Sequence, residues 1–421
     1  MPAYDLRALP VRGIRGGSLV LDAPASDARV KAITADLAKR LKLPKGTKAH
    51  RIVQRQVWLP RHGDHRVTVA ADDTSYPAGR ALRFARPLRS YQASAVEAVL
   101  RAGGGVLEAP CGSGKTVMGL AVLSRLQTRA LVLAHTRDLI EQWRERAGEY
   151  LPGVRVAEAG DDDEAKADIV LATVQTLARW GVSKLVKWGK GFGAFVLDEA
   201  HHAPAKTFTH VVGAMAARWR IGLTATPKRA DGLSPLLMAH FGPVAHRVSA
   251  AVLEQAGATV TPHVRFVRAG STPGDGAFMQ TLRRLVIAHA AEGRTILVLV
   301  RLVEEAHDLA AGLRSVGARA LVGELSDASR KRALDDARRG SLRVLIATSL
   351  ADEGLDVPQL DTLVMGTRTG ISGRLKQRVG RIQRPHAGKK QPLVIDLVAA
   401  DDDGVTERER TYRELGCAVA R

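Results

Sequence analysis

The chain has 421 residues, 45% hydrophobic and 25% charged, with a formal net charge of +20 and a pI near 10.5. That length predicts two to four domains, with ordinary apolar content to fill their cores. No apolar run is long enough to span a membrane, the N-terminus shows no secretory signal core, and two cysteines build neither a disulfide framework nor a four-thiolate zinc site. The expectation is a soluble, cytoplasmic protein (nucleoid-associated if bacterial or phage), without a membrane partner or structural zinc. Its excess of positive charge favours a polyanion, above all nucleic acid. Residues 1–87 hold 17 Lys and Arg against seven Asp and no Glu, so half of the net charge sits in the first fifth of the chain.

In chain order, residues 1–80 read as a small, basic αβ accessory module that could bind DNA. "SLVLDA" and "HRIVQRQVWL" are expected strands. Between them "DARVKAITADLAKRLKL" spaces Val30, Ile33, Leu37 and Leu41 at helical intervals, with Asp27 as its cap. The polar "ADDTSYPAGR" marks a boundary. From residue 81 to 255 short apolar strands alternate with helices: "GVLEA", "ALVLAH", "DIVLAT", "AFVLDEA" and "RIGLTAT". A second series, in residues 256–421, contains "HVRFVRA", "TILVLV", "ARALVG", "RVLIAT", "DTLVMG" and "PLVIDLV". Compact apolar runs alternating with helices signal parallel sheets covered on both faces. The expected fold class is α/β, with two such domains in tandem after the N-terminal module.

Ala109-Pro110-Cys111-Gly112-Ser113-Gly114-Lys115-Thr116 follows one strand and opens a helix. It departs from the strict phosphate-loop pattern only in having Ala109 where the first Gly would stand. Gly112 and Gly114 let backbone N–H groups converge on phosphate oxygens at the N-terminus of the next helix. Lys115 would neutralise β- and γ-phosphate charge, and the Thr116 hydroxyl would ligand Mg²⁺. "AFVLDEAHH" then ends a buried strand in acid. A carboxylate at the tip of a neighbouring parallel strand suits a metal, which assigns Mg²⁺ to Asp198 and the polarisation of water to Glu199. His201 reads as a coupling residue. The adjacent histidines, with no cysteine nearby, do not make a zinc site.

These motifs, with others in a fixed order, resemble the superfamily-2 helicases of the DEAD/H-box type over residues 88–400, and within them the XPB-type and phage UvsW-like repair helicases. The resemblance implies RecA-like folds for both αβ domains, and ATP and Mg²⁺ as cofactors. It places Gly112, Ser113, Gly114, Lys115 and Thr116 around the nucleotide. "LRSYQ" resembles the adenine-reading element, so Arg89 and Gln92 are implied to contact the base. "LAHTRDLIEQW" and "ATVQTL" look like motifs Ia and Ib. "GLTATPKR" resembles motif III, "ATSLADEGLDVP" motif V and "QRVGRIQR" motif VI. Motif V implies nucleotide contacts from Gly354 and Asp356, and motif VI implies arginine fingers. The Arg-Glu-Asp loop and thumb insertion of the XPB-type group are not found in this sequence.

Arg381 and Arg384 are three apart and would share a helical face. Across a cleft from the phosphate loop they would stabilise charge on the transferred phosphoryl group, with Gln377 helping to hold it. Thr136, Arg137, Thr173 and Thr348, at strand ends, suit a phosphate backbone because they grip without reading sequence. Thr224 and Thr226 would link hydrolysis to that grip. Closing on ATP and parting after hydrolysis would step the protein along one strand. DNA, single-stranded or branched duplex, is the favoured partner. The family implies 3′ to 5′ movement and a role in repair or recombination. An RNA helicase, or an ATP-gated nucleic-acid clamp or remodeller without strand separation, stays open as an alternative.

Overall fold

The computed structural model describes residues 11–15, 18–24, 28–43, 50–53, 56–60, 75–200, 209–225, 234–270, 272–348, 355, 357–367 and 372–420. Among the described residues no helix is long and apolar enough to cross a membrane. The chain divides into two compact units, Met1–Ala109 with Gly114–Val248, and Ser249–Arg421 with Pro110–Ser113. The 1–80 module therefore falls within the first unit.

That module is a helix, α1 (Ala28–Arg40), and an antiparallel sheet of β1 (Val11–Arg15), β2 (Ser18–Pro24), β3 (Arg51–Val53) and β4 (Gln56–Pro60), in the order β1-β2-β4-β3. The stretch expected as one strand over 50–59 is two, β3 and β4, paired back on each other with Ile52 opposite Val57. The reversal carries no Gly or Asn-Gly signal, so alternation alone reads straight through it. Leu21, Ile33 and Leu37 are buried in one apolar core with Leu236, Leu237 and Phe241, and Ser18 Oγ donates to the Gly213 carbonyl at 2.9 Å. The described part of the expected boundary stretch, residues 75–80, is likewise fastened down. Ser75 bridges Ala217, Ala78 bridges Thr128, and the Tyr76 hydroxyl donates to the Leu126 carbonyl. Asp27, the expected cap, lies outside the described residues.

The first unit is built on a parallel sheet: β5 (Gly105–Glu108), β6 (Ala130–Ala134), β7 (Val156–Glu158), β8 (Ile169–Thr173), β9 (Ala194–Leu197), β10 (Trp219–Thr224) and β11 (Val244–Arg247). Their order is β11-β5-β10-β9-β6-β8-β7. Helix α2 (Ser90–Ala102) leads into β5, and α3 (Lys115–Leu126), α4 (Arg137–Tyr150), α5 (Val174–Ala178) and α6 (Val182–Gly189) lie between later strands. Strands β6, β8 and β9 are buried at every position, which is why they read as unbroken apolar runs rather than alternations. The end strands β7 and β11 are short and half-exposed, and give no such signal. Because β10 lies between β5 and β9, the strand carrying Asp198 is not the immediate neighbour of the one feeding the phosphate loop, contrary to expectation. At ~4.8 Å per strand the two are about 10 Å apart, close enough for a lysine to bridge.

One charged side chain is built into this core. Arg220 on β10 is 1% exposed and donates to the carbonyls of His240 (2.7 Å), Met215 (2.8 Å) and Val212 (2.8 Å). Its guanidinium lies 5.4 Å from the Phe195 ring centroid and 5.6 Å from that of Phe241. A carbonyl acceptor at each of its three nitrogens is what makes so deep a cation tolerable.

The second unit is also a parallel sheet: β12 (His263–Arg268), β13 (Ile296–Val300), β14 (Ala318–Leu321), β15 (Val344–Thr348), β16 (Thr362–Met365), β17 (Leu393–Val398) and β18 (Ala418–Ala420), in the order β14-β15-β13-β16-β17-β12-β18. Alternate residues feed opposite faces. Ile296, Val298 and Val300 of β13 enter one core, Leu297 and Leu299 the other. On β17, buried Asp396 accepts from both Arg408 (2.9 and 3.1 Å) and the Tyr412 hydroxyl (2.8 Å), and Arg408 also reaches Asp402 at 2.7 Å. The helix Ser372–Ile382 carries Gln377 and Arg381. Arg384 lies beyond its end, so the two arginines do not share a helical face as expected. Arg384 precedes Pro385, and the residue before a proline is kept out of the α conformation.

Candidate nucleotide-binding site

In a parallel sheet all strands point one way, so everything that follows a strand collects at one edge, where α/β sheets bind ligands. In the first unit that edge carries, strand by strand, Lys115 after β5, Thr224 at the end of β10, Asp198 after β9, Thr136 after β6 and Thr173 at the end of β8.

Ala109 continues the ladder past β5, its N–H donating to the Thr224 carbonyl at 2.9 Å. A side chain fits there, which explains how the loop keeps its course without the first glycine. The loop then turns through Gly112 (φ 81°) and Gly114 (φ 79°), left-handed conformations that favour glycine. A Cβ on Gly114 would also lie 2.6 Å from Gln92 Nε2. Gln92, 8% exposed, accepts the Arg89 backbone N–H at 3.0 Å through Oε1, so it ties the start of α2 to the loop. The N-terminus of α3 opens on Lys115 and half-buried Thr116, and Ser113 is buried beside them.

Lys115 Nζ donates to the Ala109 carbonyl at 3.3 Å and pairs with Glu199 Oε1 at 3.4 Å. Glu199 adopts φ 45°, a strained value for a residue with a side chain, immediately after the strand end. Asp198 is 4% exposed. Its Oδ1 accepts the Glu199 N–H at 2.9 Å, and its Oδ2 accepts the Trp143 indole N–H at 2.8 Å. Burial first, and the adjacent Glu199 charge second, push its carboxyl up to about 6 against the pull of Lys115. A lysine at an open helix N-terminus suits a polyphosphate, and buried Asp198 beside half-buried Glu199 suits the cation that accompanies it. Nothing in the sequence marks Trp143 as part of this group, although it closes the motif Ia stretch; only the fold brings it to Asp198.

The structure brings Lys115, Asp198 and Glu199 together, with Gln92 against the loop. The expected nucleic-acid residues are at the same edge but partly occupied. The Thr136 hydroxyl accepts the Leu139 N–H at 3.3 Å as the cap of α4, and that of Thr173 accepts the Thr176 N–H at 3.1 Å as the cap of α5. Arg137, largely exposed, pairs with Glu158. Thr224 is fully buried, and His201 and Thr226 lie outside the described residues. In the second unit, Thr348 is 7% exposed at the end of β15, Gln377 and Arg384 are half-buried, and Arg381 Nη1 donates to the Leu355 carbonyl at 2.9 Å. Lys389 Nζ donates to the carbonyls of Arg384 (2.7 Å) and Pro358 (3.2 Å). Gly354 and Asp356 lie outside the described residues.

Two parallel sheets in tandem, with a phosphate loop and an acidic strand end on the first, define a helicase-type P-loop ATPase. The family described as "Type III restriction enzyme, res subunit" matches residues 86–229, and "Helicase conserved C-terminal domain" matches residues 277–386. The chain is 26% identical over 368 residues to the "DNA 3'-5' translocase XPB2" of Sulfurisphaera tokodaii, covering 74% of this chain and 81% of that protein. It is 27% identical over 363 residues to the "DNA 3'-5' helicase XPB" of Kineococcus radiotolerans, covering 79% of this chain but 64% of that protein. The solved structure of S. cerevisiae Dbp5 bound to RNA and ADP BeF3 shares the fold, with a TM-score of 0.61 at 17% identity over 78% of this chain and 88% of the other. The chain thus carries the two helicase domains of superfamily 2 and is similar to XPB-type helicases, and both of its parallel sheets are those of the RecA-like fold.

Proposed function

We propose that the chain is a DNA-dependent motor that hydrolyses ATP and uses the cycle to move along one strand, unwinding or remodelling duplex, forked or branched DNA in repair or recombination. The observation that carries this reading is the Lys115–Glu199–Asp198 cluster, at the same sheet edge as the strand-end loops of motifs Ia and Ib. The net charge of +20 and the DNA-directed names of the XPB-type relatives support DNA.

Asp198 and the Thr116 hydroxyl are hard oxygen donors, the kind Mg²⁺ takes, and the buried Asp198 carboxylate is oriented by two N–H groups, so these residues fit that ion. Bound with the nucleotide, Mg²⁺ would draw charge off the phosphate oxygens. Lys115 turns from Glu199 to the β- and γ-phosphates, and the backbone N–H groups at Gly112, Ser113 and Gly114 cradle them. Glu199, released, orients the attacking water and takes its proton. Arg89 and Gln92 contact the base. Gln377, Arg381 and Arg384, with Gly354 and Asp356, complete the site from the second unit; this part of the reading rests on the motif resemblance.

Thr224 links the site to DNA grip, because its carbonyl holds Ala109 at the root of the phosphate loop; His201 and Thr226 join it in that role. Thr136, Arg137, Thr173 and Thr348 hold the phosphate backbone, with the capping threonines Thr136 and Thr173 acting mainly through the helix starts they fix. Lys115→Ala is expected to abolish ATP turnover. Glu199→Gln should lower it by ~10²–10⁴ while retaining ATP binding; normal turnover in that variant refutes the role given to Glu199. The word "translocase" in one relative's name favours a second outcome, movement without unwinding. Triplex displacement without displacement of a paired strand would select it.

A further inference from the structure

Trp143 has a place in the site that its burial alone does not explain. It is 0% exposed on α4, and its indole N–H, 2.8 Å from Asp198 Oδ2, spans to a strand end 55 residues away. The ring edge crosses α3 where Gly119 stands, one helical turn after Lys115. A Cβ at Gly119 would lie 2.8 Å from Trp143 Cη2 and 3.2 Å from Leu223 Cδ1. A side chain there would push the indole away from Asp198. With the Glu199 N–H on Oδ1, two fixed donors take two of the roughly four acceptor positions of the carboxylate and set its plane. A buried indole N–H can be satisfied by any carbonyl; here it meets the one carboxylate assigned to the metal.

We propose that Trp143 is a positioning residue: its indole N–H holds the Asp198 carboxylate in one orientation for the divalent cation that accompanies the nucleotide, through a gap kept open by Gly119. The inference rests on the reading of Asp198 given above. It gives the first domain a rigid link between the motif Ia helix, the helix of the phosphate loop and the acidic strand end.

The test is equilibrium binding of a fluorescent ATP analogue in Mg²⁺ and in excess EDTA, which yields the factor by which Mg²⁺ tightens binding. Trp143→Phe keeps an aromatic ring but loses the donor. It should lower that factor by roughly tenfold or more, as loss of an outer-shell partner does, and leave the affinity in EDTA within about twofold. A merely structural role would weaken both affinities in parallel with the factor unchanged, and that result overturns the proposal. If Trp143→Phe does not fold, benzothienylalanine at position 143 keeps the shape of the indole, replaces N–H by sulfur, and is held to the same criteria. Asp198→Asn separates the two readings. If it leaves the Mg²⁺ factor intact, the assignment of Asp198 fails; if it removes the factor while Trp143→Phe does not, only the present inference fails.

Discussion

Glu199 and Lys115 neutralise one another across 3.4 Å, and each is assigned work that requires the other to let go. The strained φ of 45° at Glu199 aims its carboxylate back at the lysine, so ATP has to compete with an ion pair already formed. Arg384→Ala should slow hydrolysis by ~10³–10⁵ with far less effect on nucleotide binding; equal losses in single-turnover rate and affinity contradict a finger. Lys389 makes a prediction at the same scale. Burial, with the Arg384 charge added and Asp361 opposing, pushes its ammonium down to about 8 from an ordinary 10.5. Below pH 8 both folded and unfolded chains carry this proton, and the folded one carries it at a cost. Between pH 8 and about 10.5 the folded chain releases it first, so the cost falls and stability rises. The difference in unfolding midpoint between wild type and Lys389→Met should therefore move in favour of wild type as pH is raised from 7 to 10. A difference that stays flat contradicts the assignment.

Among elements, β10 ties the first unit together: it pairs with β5 and β9, its end holds Ala109, and its Arg220 is sealed in the core. Arg220→Ala strands three carbonyls and opens a cavity, and should cost about 3–5 kcal/mol. All five tryptophans lie before residue 249, so indole fluorescence in a urea titration reads this unit; an unchanged midpoint would refute the cost. The central strands of both sheets are legible in the sequence because burial on both faces leaves no polar alternation, and the phosphate loop because glycine spacing encodes backbone directly. The short strands β1, β7, β11 and β18 are not, since pairing with a neighbour rather than their own sequence defines them. The place of β10 between β5 and β9 is equally hidden, because strand order is not written in strand composition. Trp143 illustrates the same limit: its donor is local, but its acceptor is 55 residues on. Pro385, by contrast, stands in plain view in the sequence and accounts for the helix end that separates Arg384 from Arg381.

For the molecule as a whole, the proposed DNA binding is tested through charge and the N-terminal module. Because Leu21, Ile33 and Leu37 share a core with Phe241, deleting residues 1–80 would damage the first unit as well as remove positive charge. Replacing the exposed Lys31, Lys39 and Lys42 by Gln is the cleaner probe. If α1 touches DNA, the salt dependence of binding should flatten by ~0.9 in log–log slope for every phosphate these lysines neutralise; an unchanged slope makes the module structural. The most direct test of the motor itself is steady-state ATP turnover at fixed salt with single-stranded DNA, duplex, fork, four-way junction and matched RNA. DNA, whether single-stranded or branched, is predicted to stimulate turnover at least tenfold over the bare protein, roughly 1.4 kcal/mol in barrier, with RNA far weaker. Stimulation by RNA alone, or none by any polymer, would contradict a DNA-driven motor.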